Sequence, residues 1–393
     1  MGIYIFVLAF ILINGLLAGH KRGWFIFSTF FLIIVIAAIR DITVGTDLSL
    51  HYATSYKFLS TANWSDIIAF EFGGYDLGFK VLCRLLGYIS TDPQFFVMFT
   101  SVVSYSALAI FLYKYSDDIV LDTLLYYTSF LIFNYMTLIA QSLAVAIVLS
   151  GIDYLFKKEY KKYVFIVLFA STIHSSALIC LLFIPVNMLK YKRFHLLTYS
   201  LAITTILLIY DRFVSLVVGT FFPNFMIYLS ASNIHGVRNA FSQYGLYNIS
   251  IYVISIVMAI SFLYSKNTDD TNEGLQYLPQ KKVYFSLRNL QIIKKQTTVL
   301  QTCINTNFLM YMTITSLFFY VGSFQIEVSR RFIYYTIPFA YILMGRALSN
   351  ISIKQRVIIR IFVCVFLCTM FVYFGDEVGR NNSGVIPYHV FWK

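Results

Sequence analysis

Apolar runs long enough to cross a bilayer alternate with short polar breaks along nearly the whole chain. A spanning helix needs about 20 mainly apolar residues, with a range of roughly 17–25. On that measure, or within a residue of it, the runs at 2–19, 24–39, 94–113, 119–137, 139–156, 194–210, 247–264, 307–322, 332–348 and 357–374 read as spans. The pattern predicts an all-α polytopic membrane protein of about 10–12 transmembrane helices. It is expected to form a single integral membrane domain over 1–393.

The stretch 163–189 breaks the alternation. It is long for one span and short for two. Lys161–Lys162 flank it on one side and Lys190, Lys192 and Arg193 on the other. Two half-helices meeting near Ile173-His174-Ser175-Ser176 satisfy both flanks, as a re-entrant helical hairpin with His174 at its tip. Irregular backbone at membrane depth is tolerated only where protein covers it or it lines a watery cavity. One tilted span, with the downstream topology inverted, is the alternative.

Charge orients the spans. Lys collects in one alternate set of loops, as at Lys114, Lys157–Lys158, Lys161–Lys162 and Lys281–Lys282. Arg collects in the other set, at Arg40, Arg84, Arg212, Arg238, Arg330, Arg331 and Arg380. Cytoplasmic loops carry the basic excess, so the Lys-rich loops, including 265–306, are expected inside and the N-terminus outside. Segments 40–93 and 211–246 are then outer-face loops. Residues 73–86 in the first of them place apolar side chains at 77, 81, 82, 85 and 86, with Lys80 and Arg84 opposite. That spacing predicts an amphipathic helix lying on the membrane surface. Loop 211–246 opens apolar and ends polar. A cysteine placed at position 61 is expected to react with an impermeant thiol reagent from outside, and one at 285 to be shielded; reversed labelling refutes this orientation.

Composition fits the class. Hydrophobic residues make up 59% and charged residues 12%, against about 25% charged in soluble domains. Mean hydropathy is +0.73. The aromatic share of 19% suits interfacial belts, with stacking on sugar faces as an alternative use. The net charge of +12 lies mostly in short loops, which points to anionic lipid rather than nucleic acid. The five Cys have no metal-ligand spacing and read as small apolar residues. The N-terminus has no basic n-region and no A-x-A site, so it reads as a retained first span.

No P-loop, dinucleotide fingerprint, metal motif or nucleophile elbow is present, and no metal or cofactor is expected. The informative polar residues sit at span edges. Arg40-Asp41-Ile42-Thr43-Val44-Gly45-Thr46-Asp47 combines a guanidinium, two carboxylates and a glycine. Tyr75 and Asp76 precede the amphipathic helix, Gln141-Ser142 opens a span, and Arg330–Arg331 precede Tyr334–Tyr335 and Pro338. Each has a bland alternative: a local ion pair, a helix cap, a satisfied amide, or arginines reaching lipid phosphate. Arg is an always-charged planar fork suited to phosphate, so Arg on the outer face asks for an anion there. A His deep in an apolar segment is costly unless it faces a cavity or a partner.

Together these pieces resemble the EpsG family of Wzy-like polysaccharide polymerases. The resemblance rests on Arg40-x4-Gly45-Thr46-Asp47-x4-Tyr52, Gln141-Ser142-Leu143-Ala144, Ala170-x3-His174-x-Ser176-Ala177-Leu178, and Arg330–Arg331 with Tyr334–Tyr335. It implies a GT-C-like glycosyltransferase of the bacterial cytoplasmic (inner) membrane, with its active site facing the periplasm or outside. Such an enzyme joins oligosaccharide repeat units carried on undecaprenyl pyrophosphate, for O-antigen, capsule or exopolysaccharide. Membrane lipids and a chain-length regulator protein are the further partners implied. The resemblance assigns substrate binding to Arg40, Tyr52, Tyr75, Gln141, Arg212, Arg238, Arg330, Arg331 and Tyr335, and catalysis to Asp47 and His174. Either of the last two can serve as the base. The family usually has Arg before the Gln, and here that residue is Ala140; one anion contact is either lost or taken over by Arg212 or Arg238. A lipid-linked oligosaccharide flippase and an O-antigen ligase are the competing functions. The absence of an internal repeat speaks against the transporter.

Overall fold

The computed structural model describes residues 1–18, 21–69, 74–189, 198–202, 205, 212, 216, 219–220, 243–260, 304–323, 329–349 and 353–392. Among these the chain is helical throughout, with no strand beyond one isolated bridge between Arg40 and Val390. Antiparallel α1 (Gly2–Leu17) and α2 (Arg22–Ala38) lead into a group of short helices. These are α3 (Ala53–Leu59, entered through a π-helical turn Leu48–Tyr52), α4 (Trp64–Ala69) and α5 (Leu77–Gly87). The bundle continues with α6 (Pro93–Tyr115), α7 (Ile119–Thr128), α8 (Leu131–Thr137) and α9 (Ile139–Phe156). Beyond the hairpin described below lie α12 (Gln243–Ala259), α13 (Thr306–Gly322), α14 (Ser329–Ser349) and α15 (Ile353–Glu377).

By length and composition, three described helical stretches can cross a membrane: Pro93–Tyr115, Ile139–Phe156 and Gln355–Asn382. The bent pair α7–α8 makes a fourth, and shorter apolar helices run over Gly2–Leu17, Arg22–Ala38 and Leu246–Met258. α15 turns large apolar side chains outward; Ile358 is 69% and Phe362 72% exposed. A face of that size and character belongs in lipid rather than water. The expected span at 247–264 is helical as far as it is described, in α12, whereas the expected span at 194–210, loop 211–246 and loop 265–306 fall largely outside the described residues.

Two expectations about the helices need correction. The run 119–137 is not one straight span. Phe130 sits at φ +62° between α7 and α8, a conformation that ends a right-handed helix, and the two halves meet at 57°. On α5 the helix forms as expected, but its basic residues are not free. Lys80 is buried with Nζ 3.4 Å from Ile68 O, and Arg84 Nη1 donates to Ser60 O at 2.8 Å. Both tie α5 to carbonyls at the ends of α3 and α4. Phe79 and Cys83 face the protein, and Leu77 and Leu85 face out.

The hairpin forms. α10 (Tyr160–Ile173) stops at His174, which is extended at φ −153°, ψ 115°. A 3-10 helix (Ser175–Leu182) and α11 (Phe183–Met188) then return the chain. Tyr163 Oη donates to Cys180 O at 3.2 Å, and Asn187 Nδ2 to Leu155 O at 3.1 Å. The second contact brings the far end of the hairpin back to where α9 ends, beside Lys157–Lys158. The hairpin therefore enters and leaves on one side.

Arg40 is placed differently from the anion-facing position expected of it. It is 1% exposed. Its guanidinium donates to Ala37 O, to Ser101 Oγ at 3.0 Å and to Met136 O at 3.0 Å. Ala37 and Met136 are in the last turns of α2 and α8, whose final carbonyls lack helical partners. Arg40 thus caps two helix ends at once. The C-terminal tail covers this point: Gly45 N–H donates to Gly384 O, Thr46 N–H to Ser383 O and Asp41 N–H to His389 O. Arg40→Ala is expected to cost roughly 2–6 kcal/mol of stability, from two carbonyls orphaned at about 1–3 kcal/mol each. The readout is a lower yield of monodisperse protein in detergent; a normal yield and melting temperature would contradict the clasp.

Candidate active site

α10 ends at His174, whose own backbone is extended, and Ser175 starts a tighter 3-10 turn. The side chain is buried and engaged at both ring nitrogens. Nε2 lies 3.2 Å from Arg331 Nη1, and Nδ1 lies 2.8 Å from Ser176 Oγ. Guanidinium has no lone pair to offer, so Nε2 is the accepting nitrogen and the ring is neutral. The proton then sits on Nδ1 and points at Ser176 Oγ. Ser176 N–H also lies 3.3 Å from Nδ1, which accepts from it in the other tautomer and caps the 3-10 helix. Ser176 Oγ in turn meets Tyr335 Oη at 3.1 Å. A relay from Tyr335 through Ser176 and His174 therefore holds the Arg331 guanidinium.

Arg331 is fixed from its backbone as well. Gln141 Nε2, in the first turn of α9, donates to Arg331 O. Gln141 Oε1 is buried with no hydrogen-bond partner among the described residues, an acceptor left for a hydroxyl or a water. Next to Gln141, the Ala140 N–H donates to Tyr52 Oη at 3.3 Å. Tyr52 meets Tyr75 in a tilted pair at 5.4 Å and Phe79 edge-on at 5.6 Å, which joins the helices between residues 48 and 87 to the start of α9.

Asp47 precedes the π-helical turn and is half-buried. Burial pushes its carboxyl above the usual carboxylate range; Arg331 first and then His51 oppose that shift. Asp47 therefore lies within electrostatic reach of Arg331. Among the described residues, no group of three or more His, Cys, Asp or Glu side chains is placed to hold a metal ion.

Seven sequence-predicted residues thus converge: Asp47, Tyr52, Tyr75, Gln141, His174, Arg331 and Tyr335. Exposure sorts them. Tyr52, Gln141, His174 and Tyr335 are buried, whereas Asp47 and Arg331 are half-buried and reachable. Tyr52 reaches the others through its hydroxyl on Ala140 N–H, and Tyr335 through its hydroxyl on Ser176 Oγ. Arg330 is adjacent and exposed. Arg40 stands apart in its own clasp, Arg212 is exposed, and Arg238 lies outside the described residues.

Sequence reasoning missed two features. Arg346 and Arg360, inside apolar runs, pair with Asp117 at 2.6 Å and Asp118 at 3.1 Å; the Asp117–Asp118 pair beside a span was the available signal. Asp76 accepts from Ser175 N–H at 2.7 Å, and nothing local in the sequence marks that contact.

A model of the EpsG family matches residues 23–390, essentially the whole chain. No curated protein and no solved structure matches it.

Proposed function

As the chain belongs to the EpsG family, we propose that it is a polysaccharide polymerase joining undecaprenyl-pyrophosphate-linked oligosaccharide repeat units at the outer face of the bacterial cytoplasmic membrane. The observation that carries this reading is the Arg331 guanidinium, held from behind by His174, with the half-buried Asp47 carboxylate within its electrostatic reach. An anchored cation beside a reachable base suits a reaction that expels an anion while losing a proton.

In this reading Arg331 binds the donor's pyrophosphate. The acceptor hydroxyl oxygen attacks the anomeric carbon of the donor sugar, and its proton passes to the Asp47 carboxylate. The bond between that carbon and the phosphate oxygen breaks, and the electron pair leaves on the lipid pyrophosphate beside Arg331. A pyrophosphate is a stable anion at neutral pH, so its departure needs no general acid. His174 has its Nε2 lone pair committed to Arg331, which favours Asp47 over His174 as the base.

The test is purified protein in lipid nanodiscs with undecaprenyl-pyrophosphate-linked repeat units, scored as a ladder on a gel. A ladder with regular steps supports polymerisation. A single transfer to another acceptor with no ladder would replace it with a ligase, and transbilayer movement without new glycosidic bonds with a flippase.

A further inference from the structure

The outer-loop helix α5 begins with an unusual use of its cap. Asp76 occupies the N-cap position, yet its carboxylate makes no side-chain hydrogen bond to its own helix. Instead Oδ2 accepts from the backbone N–H of Ser175 at 2.7 Å, across a sequence separation of 99 residues. Ser175 directly follows His174 and opens the 3-10 helix of the hairpin. Its N–H is one of the donors a helix start leaves without an internal partner. A carboxylate on such a donor makes a short, charge-assisted bond.

A second contact brings α5 to the same place. Gly78, in the first turn of α5, lies so close to α10 that a Cβ there would meet Thr172 Oγ1 and come within 2.7 Å of the Thr172 carbonyl carbon. Thr172 is two residues before His174. Asp76 and Gly78 thus seat α5 on the hairpin tip from both sides of the histidine. On its other side α5 is fixed to α3 and α4 by Arg84 and Lys80, and to Tyr52 through Tyr75 and Phe79.

We propose that Asp76 is a positioning residue. It pins the hairpin tip to the outer-loop helices, so that His174 presents Nε2 to Arg331 while the same outer loop delivers Asp47. The inference rests on the polymerase reading for its consequence, though not for the contact itself. His174 has its own N–H on Ala170 O at 3.0 Å and the next N–H on Asp76, so the peptide planes on both sides of its α-carbon are tied down. Freeing the second lets the imidazole swing. A misplacement on the order of 1 Å can cost about 100-fold in rate.

The contact needs an acceptor oxygen but not a charge, which makes the test discriminating. Asp76→Ala removes the acceptor, whereas Asp76→Asn keeps one in place. Two readouts are taken on the full-length protein in nanodiscs: hydrogen–deuterium exchange of a peptide covering 170–178, and the polymerisation rate with saturating lipid-linked repeat units. The expected result is faster exchange at the tip and a drop of about 10- to 100-fold in rate for Asp76→Ala, with Asp76→Asn near wild type in both. Unchanged exchange and rate in Asp76→Ala would overturn the proposal. So would Asp76→Asn with normal exchange and lost activity, since Asp76 would then act through its charge as a catalytic residue. If the wild-type protein makes no ladder, the polymerase reading fails by itself, and the exchange measurement still decides whether Asp76 holds the tip.

Discussion

Replacing Arg331 by Ala is expected to lower the polymerisation rate by about 100- to 1,000-fold, the size of effect seen when one donor to a developing anion is removed. The guanidinium is half-buried, held by His174 Nε2, and its backbone is fixed by Gln141. Its orientation is therefore set before substrate arrives. Arg331→Lys is expected to recover only part of the loss, because a point charge on a flexible stem cannot present two parallel donors or reach His174 in the same geometry. Arg330→Ala is expected to weaken donor binding with a smaller effect on the maximal rate, as Arg330 is exposed. Folding is followed by size-exclusion profile and melting temperature, which should stay near wild type for all three. A normal ladder from well-folded Arg331→Ala protein would remove this residue from the site.

Asp47→Asn is expected to reduce the rate by about 100- to 10,000-fold, the range for losing a general base. The carboxylate must be ionised to accept the acceptor's proton, so activity falls as pH falls through its folded pKa. Burial raises that pKa above the usual value of about 3.9. The acid limb of the pH–rate profile should therefore lie above the range of a free aspartate. His51→Gln removes one influence that favours the ionised form, and should move the limb to still higher pH. His174→Ala should lower the rate and leave the limb where it was, because Nε2 serves Arg331. A limb that disappears in His174→Ala and persists in an active Asp47→Asn would assign the base to the histidine.

How legible each part was in the sequence depends on the range of the physics behind it. Helical class, the positions of most apolar helices and the hairpin at 163–189 follow from local quantities: apolar run length and the charge on each flank. The hairpin was readable because Lys flanks both sides of an apolar run too long for one span and too short for two, and a chain that turns back satisfies both flanks. The candidate residues at 47, 141, 174 and 331 were also legible, each being polar at the edge of, or within, an apolar segment. Their division of labour was not. Arg40 and Arg331 look equivalent in the sequence, both at a span edge in an Arg-bearing outer segment. One is sealed against Ala37 O and Met136 O, and the other is half-buried within electrostatic reach of Asp47.

What the sequence alone determined is the set of segments that must leave water and the polar groups that must find partners there. Only the tertiary structure decided which partner each one found. The bend at Phe130, the C-terminal tail over Gly45–Thr46, the Asp117–Arg346 pair and the Asp76 contact to Ser175 each join residues far apart in the chain or depend on packing around one φ angle. A buried polar group must be satisfied, but hydrogen bonding does not care how far along the chain the partner lies. The need is therefore written locally, and the answer is set by how the helices pack.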